Sequence, residues 1–166
     1  MKKLAFILIA LALPHIGWGQ LVHFGATLSG WQETPPVDTP ATGWAMATLD
    51  LETLEFNYEH AFEGLLAPQV AAHIHVAPLG VPGPVEIPLP VGSPALLAMV
   101  LTPEQADELM AGLWYTNIHS TLFPAGEIRG QLMAVPEPST YALAGAILLG
   151  GLAWARRTRQ RRQLPA

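Results

Sequence analysis

Apolar and polar residues alternate without a break from Leu54 to Phe62. Leu54, Phe56, Tyr58, His60 and Phe62 fall on one side, and Glu55, Asn57, Glu59 and Ala61 on the other. A period of two predicts a strand with one buried and one wet face. Thr42 to Leu51 repeats the pattern more weakly, with Ala45, Ala47 and Leu49 in phase. Val70 to Val76 sets Val70, Ala72, Ile74 and Val76 against Ala71, His73 and His75, while Leu96–Leu101 and Trp114–Ser120 are further strand candidates. Phe123-Pro124-Ala125-Gly126 is turn chemistry and leads into a strand from Glu127 to Met133, where Ile128 and Leu132 share a face. One stretch breaks the alternation. Thr102, Pro103 and Gln105 stand where a helix places its N-cap, first residue and capping-box partner. Glu104 and Asp107 lie in the positive first turn, Leu109 and Met110 supply apolar contact, and Gly112 ends the helix. Short strands with turns about every 8 to 12 residues predict a mainly β domain. Its expected form is an antiparallel β-sandwich or partly closed barrel with one short helix.

Two apolar runs lie outside this pattern. Met1 to Gly19 carries Lys2 and Lys3, then the apolar stretch Leu4 to Leu13, then Pro14 and the small residues Gly17 and Gly19. That order predicts a signal helix over residues 1–19, cut before Gln20, because so short an apolar stretch does not span roughly 30 Å of hydrocarbon. Tyr141 to Ala155 contains no charge and has no polar face. Counted from Pro138 it reaches about 27 Å, which predicts a short transmembrane helix over 138–155. Arg156, Arg157, Arg159, Arg161 and Arg162 follow at once, and such a cluster anchors its end in the cytoplasm. The chain therefore divides into a signal peptide (1–19), an exported β domain (20–134) and a C-terminal segment (135–166).

Charge sharpens the picture because it is sorted along the chain. All thirteen acids lie between Glu33 and Glu137, and Arg129 is the only Lys or Arg among them, so a formal net charge of −5 conceals −12 in that stretch. A core that binds nucleic acid needs bases to neutralise phosphates and is excluded. Adhesion of the folded part to an anionic membrane is disfavoured for the same reason. Sixteen prolines and fifteen glycines argue against a helical bundle. With no cysteine there is no disulfide framework, no Cys-ligated zinc or iron–sulfur site and no thiol nucleophile.

Immediately before the apolar helix stands Val135-Pro136-Glu137-Pro138-Ser139. The Pro136-Glu137-Pro138 triplet, the short helix and the arginine cluster, in that order from Val135 to Gln163, resemble the PEP-CTERM sorting signal of exopolysaccharide-producing Gram-negative bacteria. The resemblance implies recognition by an exosortase, a membrane transpeptidase-like protease that cuts near the triplet. It also implies export through the secretion machinery and signal peptidase, an inner-membrane anchored precursor, and delivery to the cell surface or beyond. Two prolines keep the triplet extended, the form in which proteases bind backbone.

The middle of the chain carries a second resemblance. Phe24-x-Ala26-x-Leu28-Ser29-Gly30-x-Gln32-Glu33-x-Pro35-Pro36-Val37 opens it, with Ala41-Thr42-Gly43 soon after. Gly64-Leu65, Ala72-His73-Ile74-His75, Gly83-Pro84-Val85, Leu101-Thr102 and Tyr115-x-Asn117-Ile118-His119 follow, and Pro124-x-Gly126-Glu127-Ile128-Arg129-Gly130-Gln131-Leu132 closes it. From about Val22 to Met133 this is similar to the CHRD domain, named from chordin and common in exported bacterial proteins. The bacterial family implies a fold and a location rather than a reaction.

Candidate chemistry centres on His73, His75 and His119. Histidines at i and i+2 of a strand project from one face, and a third on another strand can complete a site for zinc or copper, with Glu127 or Asn117 adding oxygen. Gly-Leu followed by His-x-His is also similar to copper/zinc superoxide dismutase. This chain lacks that family's remaining ligand histidines, bridging arrangement and disulfide, so the likeness is one of fold. The plainer reading makes the three histidines partly buried residues hydrogen-bonded to loops, Asn117 and Glu127 anchors, and Arg129 the ion-pair partner of Glu127 or Glu33. His23 and His60 read as structural. Ser29, Ser93 and Ser120 lack a nucleophile elbow, no phosphate-binding glycine loop is present, and Glu55 and Glu59 belong to a solvated face. Trp31, Trp44 and Trp114 could stack on sugar rings, though at least two are expected in the core.

The expected function is a non-enzymatic binding or structural module, with no catalytic residue assigned and no cofactor required. It would be sorted by exosortase and associated with the cell envelope or extracellular polysaccharide. The alternative is an exported zinc- or copper-binding protein, redox-active or not.

Overall fold

The computed structural model describes residues 21–136 and Leu149. The signal segment 1–19, the apolar helix expected over 138–155 apart from Leu149, the arginine cluster and two members of the triplet, Glu137 and Pro138, lie outside the described residues. Among those described, no helix is long and apolar enough to cross a membrane.

Residues 21–136 form nine strands and one α-helix in chain order: β1 (Leu21–Ser29), β2 (Thr42–Asp50), β3 (Glu55–Glu63), β4 (Gln69–Val76), β5 (Val85–Leu89), β6 (Ala95–Val100), α1 (Pro103–Met110), β7 (Trp114–Ser120), β8 (Ile128–Gln131) and β9 (Met133–Val135). A single 3-10 turn, Gly30–Gln32, follows β1. All pairings are antiparallel, in the order β5-β4-β7-β8-β1-β2-β3-β6, with β9 added against β1. The two outermost strands, β5 and β6, are consecutive in the chain, so the short link between them joins the sheet's edges and the sheet curls into a nearly closed barrel. Of the two expected β architectures, the barrel is the one adopted.

Alternation accounts for the core. Phe56, Tyr58 and His60 of β3 point inward with Ala45, Ala47 and Leu49 of β2, and Ala72 and Ile74 do the same from β4. Trp114 is wholly buried and meets Phe56 edge-on at 5.6 Å. Tyr58 Oη and Thr116 Oγ1 hydrogen-bond across the interior at 2.8 Å. Helix α1 adds Ala106 and Leu109 to the same core. Its capping box forms as the sequence predicts: Gln105 N–H donates to Thr102 Oγ1 at 3.2 Å and Thr102 N–H to Gln105 Oε1 at 3.0 Å. Thr102→Ala is expected to cost about 1 kcal/mol, read as a lower urea midpoint at unchanged slope.

Three strands escape the sequence pattern: β1, β5, and β9, which continues past the strand expected over Glu127–Met133 after a break at Leu132. In β1 the buried side chains Phe24 and Leu28 are four apart around Gly25, which hides the period. β5 contains Pro88, tolerated because β5 is an edge with no ladder bond required on its outer side. The tryptophan expectation also needs correction. Trp31 is 78% exposed and Trp44 37% exposed, leaving Trp114 as the core member.

The most informative strand is β7, where all seven residues are buried. Trp114, Thr116 and Ile118 face the barrel interior, whereas Tyr115, Asn117 and His119 face outward and are covered by loops from residues 30–41, 77–84 and 121–127. A polar layer is thus sealed between sheet and loops. The candidate site lies there.

Candidate metal centre

His73 and His75 project outward from β4, and His119 from the neighbouring β7, whose ladder pairs Ala71 with His119 and His73 with Asn117. The β4–β5 register shifts between Ile74 and His75, and such irregularities re-aim a side chain beside a site. One nitrogen from each ring lies within 4.8 Å of the other two. A triangle of that size has a centre no more than about 2.8 Å from each corner, against metal–imidazole bonds of about 2.0–2.1 Å. Side-chain adjustments of under an ångström would therefore close the set on one ion.

Two of the rings are held in the tautomer that a metal ligand needs. His75 Nδ1–H donates to the Gly83 carbonyl and His119 Nδ1–H to the Pro124 carbonyl, each at 3.0 Å. These bonds fix the tautomer and leave both Nε2 atoms as lone-pair donors, as outer partners do around bound metals. His119 Nε2 accepts from His73 Nδ1–H at 3.0 Å. Among the described residues His75 Nε2 is buried without a hydrogen-bond partner. Burial is the main force lowering the proton affinity of all three rings, and it carries His119 down to about 4. Mutual repulsion adds to it at His75 and His119, and the positive charge of Arg129 adds further at His75. The rings are neutral at neutral pH, so protons compete little with a metal.

Arg129, on β8, closes one flank. Its guanidinium carbon sits 3.7 Å above the Tyr115 ring, and the Tyr115 ring stacks on His75 at 4.9 Å and 9°. Gly83 ties this stack together, its N–H donating to Tyr115 Oη while its carbonyl holds His75.

The model of the CHRD domain matches residues 24–132. The chain belongs to the CHRD domain family. The PEP-CTERM protein-sorting motif matches residues 134–160. Searches of curated proteins and of solved structures return no significant match. The protein is accordingly an exported, membrane-sorted exosortase substrate of a Gram-negative bacterium, with a CHRD domain as its folded part.

Within this CHRD domain the expected ion pair of Glu127 with Arg129 is replaced by other bonds. Glu127 Oε1 accepts from Thr39 Oγ1–H and from Leu66 N–H, both at 2.7 Å, so the carboxylate knots two loops. Arg129 donates instead to Thr34 Oγ1 at 3.1 Å and to the Val81 carbonyl at 3.3 Å. Among the described residues Glu127 is not part of the three-histidine cluster. Asn117 Nδ2 reaches the Ala125 carbonyl at 3.4 Å.

Sequence reasoning missed Tyr115 as a site residue and gave Glu33 only as a possible partner of Arg129. Tyr115 shares the period of two with Asn117 and His119, which was the available signal. Glu33 carries a buried carboxyl beside Arg129, and burial outweighs that charge, pushing its pKa up to about 7. It lines a cleft of about 510 Å³ between residues 33–38 and 122–126. Gly126, at φ +133°, is necessary there because a Cβ would strike the Asn117 amide and stand 2.6 Å from Glu33 Oε1.

Proposed function

We propose that this exported CHRD domain is a non-enzymatic metal-binding module, holding zinc or copper through His73, His75 and His119 at the cell envelope or in extracellular polysaccharide. One observation carries the reading: three neutral imidazoles converge, two pinned by backbone carbonyls, around the buried and unpartnered Nε2 of His75. A buried polar atom left without a partner is costly, and a bound cation would satisfy it. The half-buried His73 gives the ion a way in from solvent.

Metal analysis of the purified full-length chain in detergent after dialysis tests this. About one equivalent of zinc or copper is expected, lost when His73, His75 and His119 are all replaced by Ala. Free metal at about 100 times Kd should stabilise the wild type by about 2.7 kcal/mol and leave the triple variant unmoved. A folded wild type that retains no metal and gains no thermal stability from either ion would sink the proposal.

A further inference from the structure

Resting on that reading, we infer that the three-histidine centre is built for monovalent copper, with Arg129 acting through Tyr115 to disfavour a divalent ion.

The ligand cluster is three neutral nitrogens and no anion. A divalent ion placed there would keep its full double charge in a half-buried setting, and burying uncompensated charge is costly. Cu(I) halves that charge and is content with three donors. Cu(II) prefers a tetragonal set, and zinc takes four ligands. Each would have to draw its further donor from water entering past half-buried His73, which a three-coordinate monovalent ion does not need. Two of the three rings are pinned by Gly83 and Pro124, which resists rearrangement toward a square plane.

Arg129 adds to the bias. Its guanidinium lies on one face of Tyr115 and His75 on the other, at 3.7 Å and 4.9 Å from the Tyr115 ring. This places a fixed positive charge about two ring layers from a ligand. Its hydrogen bonds go to the neutral Thr34 hydroxyl and the Val81 carbonyl, and the nearby Glu33 carboxyl is pushed toward its protonated form. The cation is therefore incompletely neutralised. At about 9 Å and an effective dielectric near 20, one unit charge changes the relative binding of Cu(II) and Cu(I) by on the order of tenfold. Arg129 is in this sense a positioning residue for charge and touches no metal.

The test titrates full-length protein in detergent anaerobically with Cu(I) against bathocuproine disulfonate, and separately with Cu(II) and Zn(II) against chromophoric chelators. Cu(I) should bind more tightly than either divalent ion. Arg129→Gln should lower the Cu(I):Cu(II) affinity ratio about tenfold, and Arg129→Lys should restore most of it. Should Arg129→Gln fail to fold, the wild-type order of affinities decides alone. Cu(II) or Zn(II) bound as tightly as Cu(I), or a ratio indifferent to Arg129→Gln, overturns the inference and leaves the metal site standing. No binding of any of the three ions removes both.

Discussion

Gly83→Ala should lower stability by about 3 kcal/mol and, in the same stroke, release a metal ligand. A Cβ on Gly83 would run into the Val76 carbonyl oxygen and lie 2.8 Å from the Ala77 Cβ. The obstacle is mostly backbone, fixed by the β4 ladder, so the loop of residues 77–84 has to move. That loop carries the Gly83 carbonyl that accepts from His75 Nδ1–H and the Gly83 N–H that donates to Tyr115 Oη. Moving it frees the His75 ring and unseats its stacking partner. Guanidinium denaturation should show a lower midpoint, and metal titration should show weakened binding under conditions where the variant remains folded. A variant with wild-type stability and wild-type metal affinity would mean that Gly83 does not set the position of His75.

Glu33→Gln should stabilise the domain at high pH by on the order of 3 kcal/mol and scarcely change it in acid. The folded-state pKa is raised from 4.5 to about 7. At about 1.36 kcal/mol per unit, that difference is the cost of keeping an ionised carboxyl buried. The sign follows from proton counting. Between pH 4.5 and about 7 the folded chain holds a proton that the unfolded chain has released, so stability falls as pH rises through this window and then levels off. The depressed histidines act oppositely, with stability lost as pH falls below 6.5 toward the folded value, about 4 for His119. The two trends overlap in the wild type. Subtracting the Glu33→Gln curve isolates the carboxyl, and the difference should grow from near zero at pH 4 to its full value above pH 8. A difference that stays constant across that range would show that Glu33 titrates normally.

The interior of the barrel was legible because a strand advertises its buried face locally. Leu54 to Phe62 could be read directly, and so could the helix, whose cap needs only Thr102, Pro103 and Gln105. The outer layer was not, because loops distant in sequence bury it. Nothing near Trp114–Ser120 announces that residues 30–41 and 77–84 will cover Tyr115 and Asn117. His-x-His pointed to the centre because two residues on one strand face meet whatever the fold, and His119 joined them as a third histidine on another expected strand. The expected pairing of Arg129 with Glu127 or Glu33 rested on its being the lone base of an acidic domain. With Glu127 it lost to Thr39 and Leu66 on one side and to Tyr115 on the other, partners that only the closed loops bring near. Trp31 and Trp44 show the reverse error: large apolar side chains belong to the core by habit, yet both are exposed, Trp31 on the turn just after β1.

Strand β9 has a consequence for reach and clearance. The sorting motif begins at Ala134, inside a strand whose last residue, Val135, is paired with His23 of β1. Only Pro136 separates Val135 from Glu137 in the sequence, and two residues of extended chain span at most about 7 Å. Cleavage near the triplet would thus take place close to folded protein. An enzyme cutting there would have either to admit the rim of a barrel into its entrance or first to peel three exposed residues away from β1.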